Sequence, residues 1–237
     1  MEIRFDKKPK KKGVTIIEGF PGFGLVGSIT TEFLIEHLKT EKIGQVFISD
    51  VAPIAAIHDE KLIEPMAIHY NEKYNIVIIH VITNVTGFEW KMTEAIRKIE
   101  HELTAKEIIS IEGVSGRQNQ ENVFFFTKNN DIRKKKLEKC KIYPLKEGII
   151  MGVTAGLLLK VDKVPLTCLF AETHSNIPDS KAAAGVIKAL DRYLGLEVDY
   201  EPLIKSAERF EASIKDLMTK SQEAENQNNQ KKLNYVG

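Results

Sequence analysis

Residues Val14–Gly27 read VTIIEGFPGFGLVG. They form a short apolar run, then a turn rich in glycine and proline, and Ile29, Phe33 and Leu34 follow at helical spacing toward Leu38. The pattern is strand, glycine loop, helix. A second apolar run, Ile43 to Ile48, follows closely. A strand that returns this soon after a helix is expected to lie parallel to the first, which makes a βαβ unit.

Further along, Leu62 to Tyr70 reads as one strand, and Asn75 to Ile82 as another whose valines and isoleucines run without interruption, as in a central strand covered on both faces. Met92, Ile96, Ile99 and Leu103 fall on one helical stripe beginning near Gly87. Glu107 to Ile111 and Val123 to Thr127 are strands, and Asp131 to Cys140 is a charged helix. Ile149 to Leu159 reads as a buried helix whose Gly152 and Gly156 allow close backbone approach, and Pro165 to Ala171 as the last strand. The helix from Asp179 to Leu194 carries Ala183, Val186, Ile187, Leu190 and Leu194 on one face, with Asp179 as its N-cap. This alternation predicts an α/β protein, a three-layer α/β/α domain with a C-terminal helix and a flexible tail. The expected division is a basic segment over 1–12, a single domain over 13–218 that includes a terminal helix at 200–218, and a polar tail over 219–237.

In that terminal helix Leu203, Ala207, Phe210, Ile214 and Leu217 repeat at coiled-coil spacing. The stripe either packs on its own domain or, through Leu203, Phe210, Ile214 and Leu217, forms an oligomer contact. The tail is too polar to offset the entropy of ordering. It nevertheless ends in Leu233, Tyr235 and Val236, an apolar tip on a tether and the shape of a docking peptide.

The chain has 237 residues, with 34 basic and 33 acidic side chains for a net charge of +1. That balance calls for no nucleic-acid partner. No stretch approaches the roughly 18 apolar residues of a membrane span, and no apolar block follows the lysine-rich start. Cys140 and Cys168 stand far apart, which argues against a disulfide scaffold and fits a reducing cytoplasm.

Two constellations bear on chemistry. Gly22, Gly24 and Gly27 spell G-x-G-x-x-G between strand and helix, and Asp50 ends the next strand. In a nucleotide-binding enzyme such as an NAD(P)-dependent oxidoreductase, these glycines admit the pyrophosphate and the acid holds the ribose. Against that, Pro21 stiffens the turn and Phe23 puts a ring in the phosphate's path. A tight turn with close helix packing needs glycines for the same steric reasons. The second constellation, Glu172, His174 and Asp179, leaves the last strand at its C-terminal end. It offers either an acid/base or metal-binding group, as in a nucleoside phosphorylase or hydrolase, or a capped helix preceded by a satisfied histidine. Gly113-Val114-Ser115-Gly116 lacks the nucleophile-elbow spacing of a serine hydrolase.

Gly19 to Gly27, Ile111-Glu112-Gly113, Gly148 to Gly152 running through Leu158, and Glu172 to Asp179 before an alanine-rich helix together resemble the archaeal branch of the proteasome assembly chaperone family, related to the second eukaryotic proteasome assembly chaperone. The resemblance spans roughly residues 14 to 195. It implies a phosphorylase/hydrolase-like mixed sheet, homo-oligomers, and ATP-independent chaperone activity on proteasome subunits or other protein clients, without catalysis or cofactor. Some members end in a hydrophobic-tyrosine-any-residue tail that docks between proteasome α subunits. Here Asn234 precedes Tyr235 and the tyrosine comes one place early.

Overall fold

The computed structural model describes residues 1–49, 55–58, 60–115, 122–128, 130–173, 178–205, 215–216 and 219–220. In chain order the elements are β1 (Glu2–Phe5), β2 (Thr15–Gly19), α1 (Val26–His37), β3 (Glu41–Phe47), β4 (Ala56–His58), β5 (Lys61–Ile63), β6 (Met66–Asn71), β7 (Ile76–Val81) and α2 (Glu89–Leu103). They continue with β8 (Glu107–Ser115), β9 (Val123–Thr127), α3 (Asp131–Lys139), β10 (Tyr143–Pro144), α4 (Gly152–Lys160), β11 (Leu166–Thr173), α5 (Ser180–Leu194) and α6 (Glu201–Lys205).

Among the described residues one mixed sheet runs β1-β3-β6-β7-β2-β8-β11-β9-β10, and β4 and β5 pair as a separate small hairpin. The middle strands β7, β2, β8 and β11 are mutually parallel. Every residue of β2 and β7 is buried, because helices cover both faces of these strands. On one face Ile17, Ile78, Ile109 and Leu169 meet α1, α5 and Leu137 of α3. On the other, Ile16, Val77, Ile108 and Phe170 meet Met92, Ile96 and Ile99 of α2 and Val153 and Leu157 of α4. This is the expected three-layer arrangement, since period-2 strands with apolar residues on both sides need a helix layer above and below.

Several local expectations need correction. β3 runs in the same direction as β2 but is not its neighbour, because the antiparallel hairpin β6–β7 inserts between them. The hairpin turns sharply at Asn71, whose side chain accepts from the Tyr74 amide at 2.9 Å, and Asn75 takes a left-handed φ of 54°. Leu62 to Tyr70 is two strands rather than one, broken at Glu64 and Pro65, where proline has no amide to give a ladder. Within the basic segment 1–12 the structure adds a strand: Ile3 and Phe5 alternate with Glu2 and Arg4, and β1 pairs antiparallel with β3 at the sheet edge. Finally, α4 begins at Gly152, whose φ is 77°, so Ile149 and Met151 precede the helix and are exposed instead of buried. Gly156 does give the close approach expected of it, its Cα lying against the Thr93 hydroxyl.

Leu203 of α6 is buried with the α1/α5 cluster of its own domain. Phe210, Ile214 and Leu217 lie outside the described residues, as do Asp50, His174 and the tip residues Leu233, Tyr235 and Val236. No helix among the described residues is long and apolar enough to cross a membrane.

Candidate functional site

The parallel strands β2, β8 and β11 end side by side, and the loops leaving them form one unit. After β2 the chain makes a single 3-10 turn, Phe23–Leu25, before α1. Gly24 sits at φ 63° and Leu25 at φ 50°. The Gly24 carbonyl accepts from the Asp179 amide at 2.9 Å, which ties the glycine loop to the start of α5. Asp179 caps that helix as expected: Oδ1 accepts from the Ala182 amide at 2.9 Å and Oδ2 from the Thr173 hydroxyl at 2.7 Å.

The glycines are short of space rather than open to a ligand. A Cβ on Gly22 would stand 2.5 Å from Glu112 Oε1, and one on Gly24 would stand 2.5 Å from Thr173 Oγ1. One on Gly27 would stand 2.8 Å from the Phe20 carbonyl, and one on Gly19 would overlap the Gly27 carbonyl. The space that these glycines free by lacking a Cβ is therefore taken up by the protein's own strand β8, strand β11 and loop.

Beneath this loop, on the α2/α4 face, lies a cluster that the sequence reading passed over. Glu18 of β2 is cross-strand partner to Ser110 of β8, and Glu112 follows two residues later on the same face. Thr154 of α4 donates to Glu112 Oε2 at 2.8 Å and shares a 2.9 Å hydrogen bond with the Ser110 hydroxyl. Glu18 is fully buried, and neither carboxyl oxygen has a close hydrogen-bond partner. Burial pushes its pKa up to about 8; the Ser110 hydroxyl opposes the rise and the Glu112 charge adds to it. Burial also pushes Glu112 up to about 7, against the pull of Thr154. Glu18 thus holds its proton at neutral pH, while Glu112 titrates there. The nearby Cys168 thiol is pushed well above its ordinary value, first by burial and then by Glu18 and Glu112, so it is not an activated nucleophile. A charged residue inside an otherwise apolar strand, as in Val14–Gly19, was the available signal.

A second polar group lies on the opposite face. His80 of β7 is buried between Thr31 Oγ1, 2.8 Å from Nδ1, and Glu32 Oε2, 2.7 Å from Nε2. Burial alone would raise Glu32, but the charge and hydrogen bond of His80 outweigh it and hold the carboxyl below its usual value. His69 is pushed down to about 4, first by burial and then by His80. His80 lies on the face of the sheet opposite Glu18 and Glu112, and the half-buried His69 meets the Thr40 hydroxyl at 3.2 Å.

Of the Glu172, His174 and Asp179 group, His174 lies outside the described residues, and Glu172 and Asp179 each bond to a different partner. Glu172 and Thr173 are successive strand residues and face opposite sides; Asp179 joins Thr173, whereas Glu172 accepts from Asn122 Nδ2 at 2.9 Å. No group of three or more His, Cys, Asp or Glu side chains that could hold a metal ion occurs among the described residues. A cleft of about 680 Å³ lies elsewhere, near the β1–β3 edge, and is lined in part by Phe47, Ile48, Leu62, Met66 and Thr83.

The sequence signature of the PAC2 family matches residues 16–218. An uncharacterised protein of Methanocaldococcus jannaschii is 29% identical over 212 residues, which cover 85% of this chain and 82% of that protein. The crystal structure of Pyrococcus furiosus PbaA, an archaeal homolog of proteasome-assembly chaperone, superposes with a TM-score of 0.82 at 27% identity, covering 94% of this chain and 99% of that one. Pyrococcus furiosus PbaB, an archaeal proteasome activator, shares the fold with a TM-score of 0.73 at 24% identity, over 91% of this chain and 98% of that one.

Proposed function

The chain belongs to the PAC2 family, and from that premise we propose that it is an ATP-independent assembly chaperone of the proteasome type. In this reading it is not an enzyme; it works in the cytoplasm as a homo-oligomer that holds proteasome subunits or other protein clients until they associate. The observation that carries the reading is the near-complete overlap with PbaA, which leaves out almost nothing of either chain. The crowding of Gly22 and Gly24 by Glu112 and Thr173 agrees with it, because a motif used for packing needs no coenzyme. Client contact falls to the outer surface and to the tethered tip Leu233, Tyr235 and Val236, whose apolar and aromatic side chains suit a pocket on a partner.

Light scattering coupled to size exclusion, together with a pull-down on proteasome α subunits, tests this. A homo-oligomer that captures α subunits is expected, with capture weakened by deleting residues 219–237. A monomer that captures none removes the reading. Calorimetry with NAD, NADP and ATP tests the rival: binding that is lost on mutation of the glycine loop would replace the chaperone reading with an enzyme.

A further inference from the structure

We propose that the segment from Lys146 through the first turns of α4 is a strap that lifts from the sheet when the two carboxyl groups beneath it, Glu18 and Glu112, lose their protons. The strap is tied at its two ends and lightly held between them. Before it, the Leu145 amide donates to the Phe125 carbonyl at 2.8 Å. After it, Lys128 Nζ donates to the Leu158 and Val161 carbonyls at 2.9 and 3.2 Å. Between these points Lys146, Ile149 and Met151 are exposed, α4 starts without a side-chain cap, and Gly152 takes a left-handed φ of 77°. A cleft of about 250 Å³ is lined by Ile150 of the strap and by Phe126 and Phe170 of the sheet.

Thr154 is the strap's polar contact with the sheet. Each hydroxyl has one proton. Thr154 gives its own to Glu112 Oε2, so the proton in its 2.9 Å bond with Ser110 belongs to Ser110. None is left for Glu18, whose two oxygens are buried without a hydrogen-bond partner. An ionised Glu18 gains the Ser110 proton only by breaking the bond between Ser110 and Thr154, which is one of the two that hold the strap down.

Charge enters this space in order. Glu112 stands at its edge, partly open to water beside Gly22, and burial holds it up at about 7. Glu18 is sealed in and meets the Glu112 charge, at about 8. The second charge is the one that the closed strap does not accommodate. Among the described residues the charge that acts on Glu18 is that of Glu112. The elements packed on this face present Met92 and Ile96 from α2, Ile79 and Val81 from β7, Val153 and Leu157 from α4, and Cys168 and Phe170 from β11. Farther out on it stand Glu172, held by Asn122 Nδ2, and Lys146 and Glu147 of the strap itself. Once the strap lifts, both acids reach water and return toward the ordinary 4.5. The closed form therefore binds more protons than the lifted one: closure is favoured at low pH, and lifting gains as pH rises until about pH 8.

Cys168 supplies the readout. It is the cross-strand partner of Ser110, is fully buried on the face that Thr154 covers, and becomes accessible when the strap lifts. In the full chain carrying Cys140→Ser it is the sole thiol. Its labelling by 4,4′-dithiodipyridine is measured from pH 6 to pH 9, each rate divided by that of a free cysteine peptide at the same pH. The expected result is a rise on the order of 100-fold between pH 6 and pH 8, insensitive to urea below the unfolding transition because little surface opens. Glu18→Gln should leave about 10-fold of that rise, and Glu18→Gln with Glu112→Gln should abolish it. Where the pair perturbs folding, Glu112→Gln alone takes its place, with the rise reduced about 10-fold. Accessibility that does not change with pH, a rise that survives these substitutions, or labelling as steep in urea as global unfolding overturns the proposal. The chaperone reading is untouched by any of these outcomes.

Discussion

Replacing Glu18 with glutamine removes one titratable proton from the interior of the parallel sheet. The folded protein holds that proton up to about pH 8, against 4.5 for an ordinary glutamate. Between those values the native state binds more protons than the unfolded chain, so its stability falls as pH rises through the window. The contribution is fully present below pH 4.5 and lost above pH 8. The gap corresponds to on the order of 5 kcal/mol overall, and about 4 kcal/mol of it falls between pH 5 and pH 9. Glutamine has no proton to lose, so the stability of Glu18→Gln relative to wild type should improve by that amount across the same range. Any fixed cost of burying the amide enters at every pH and cancels. Reversible urea unfolding at pH 5, 7 and 9, followed by far-ultraviolet circular dichroism, reads the effect as a relative midpoint shift of roughly 1–2 M. A stability difference between variant and wild type that stays constant with pH would refute the buried, protonated carboxyl.

Other consequences concern the packing around the strand ends. Gly19→Ala forces a Cβ into the Gly27 carbonyl and should cost about 3 kcal/mol, a fall in Tm of roughly 6–12 °C by calorimetry; a normally stable variant would mean that the loop is not held by this contact. Asp179→Ala removes the acceptor for the Ala182 amide and the Thr173 hydroxyl and should lose about 1–2 kcal/mol in urea unfolding. Glu107→Ala strips the partner from Arg133 at 2.9 Å, Tyr193 at 2.8 Å and Thr167 at 2.8 Å, and should cost about 3–5 kcal/mol, with Glu107→Gln recovering part of it. Equal stability for Glu107→Ala and wild type would show that this buried network contributes nothing.

The layers were legible because they depend on local pattern. The unbroken apolar run at Ile76–Val81 and the stripe Met92, Ile96, Ile99 and Leu103 each name an element and the face it buries. Asp179 before an alanine-rich run named its own cap. Strand neighbours were less legible: β3 and β7 are similar apolar runs, and nothing local says which of them pairs with β2. The tight turn at Asn71–Asn75 joins β6 to β7, and the completed sheet sets that hairpin between β3 and β2. The acid cluster was illegible for a related reason. Glu18 and Glu112 are 94 positions apart, and only the pairing of β2 with β8 and the descent of Thr154 from α4 place them in one water-excluded space.

The glycine loop marks the boundary between the two kinds of information. The order of residues alone determines a strand, a turn without side chains and a helix, because backbone sterics and hydrophobic period act over a few residues. It leaves open whether the bare Cα atoms admit a phosphate or a neighbouring strand, since either occupant excludes Cβ equally. Tertiary packing decides that, by bringing Glu112 from β8 and Thr173 from β11 against Gly22 and Gly24, contacts between residues roughly 90 and 150 positions apart that only the completed sheet creates.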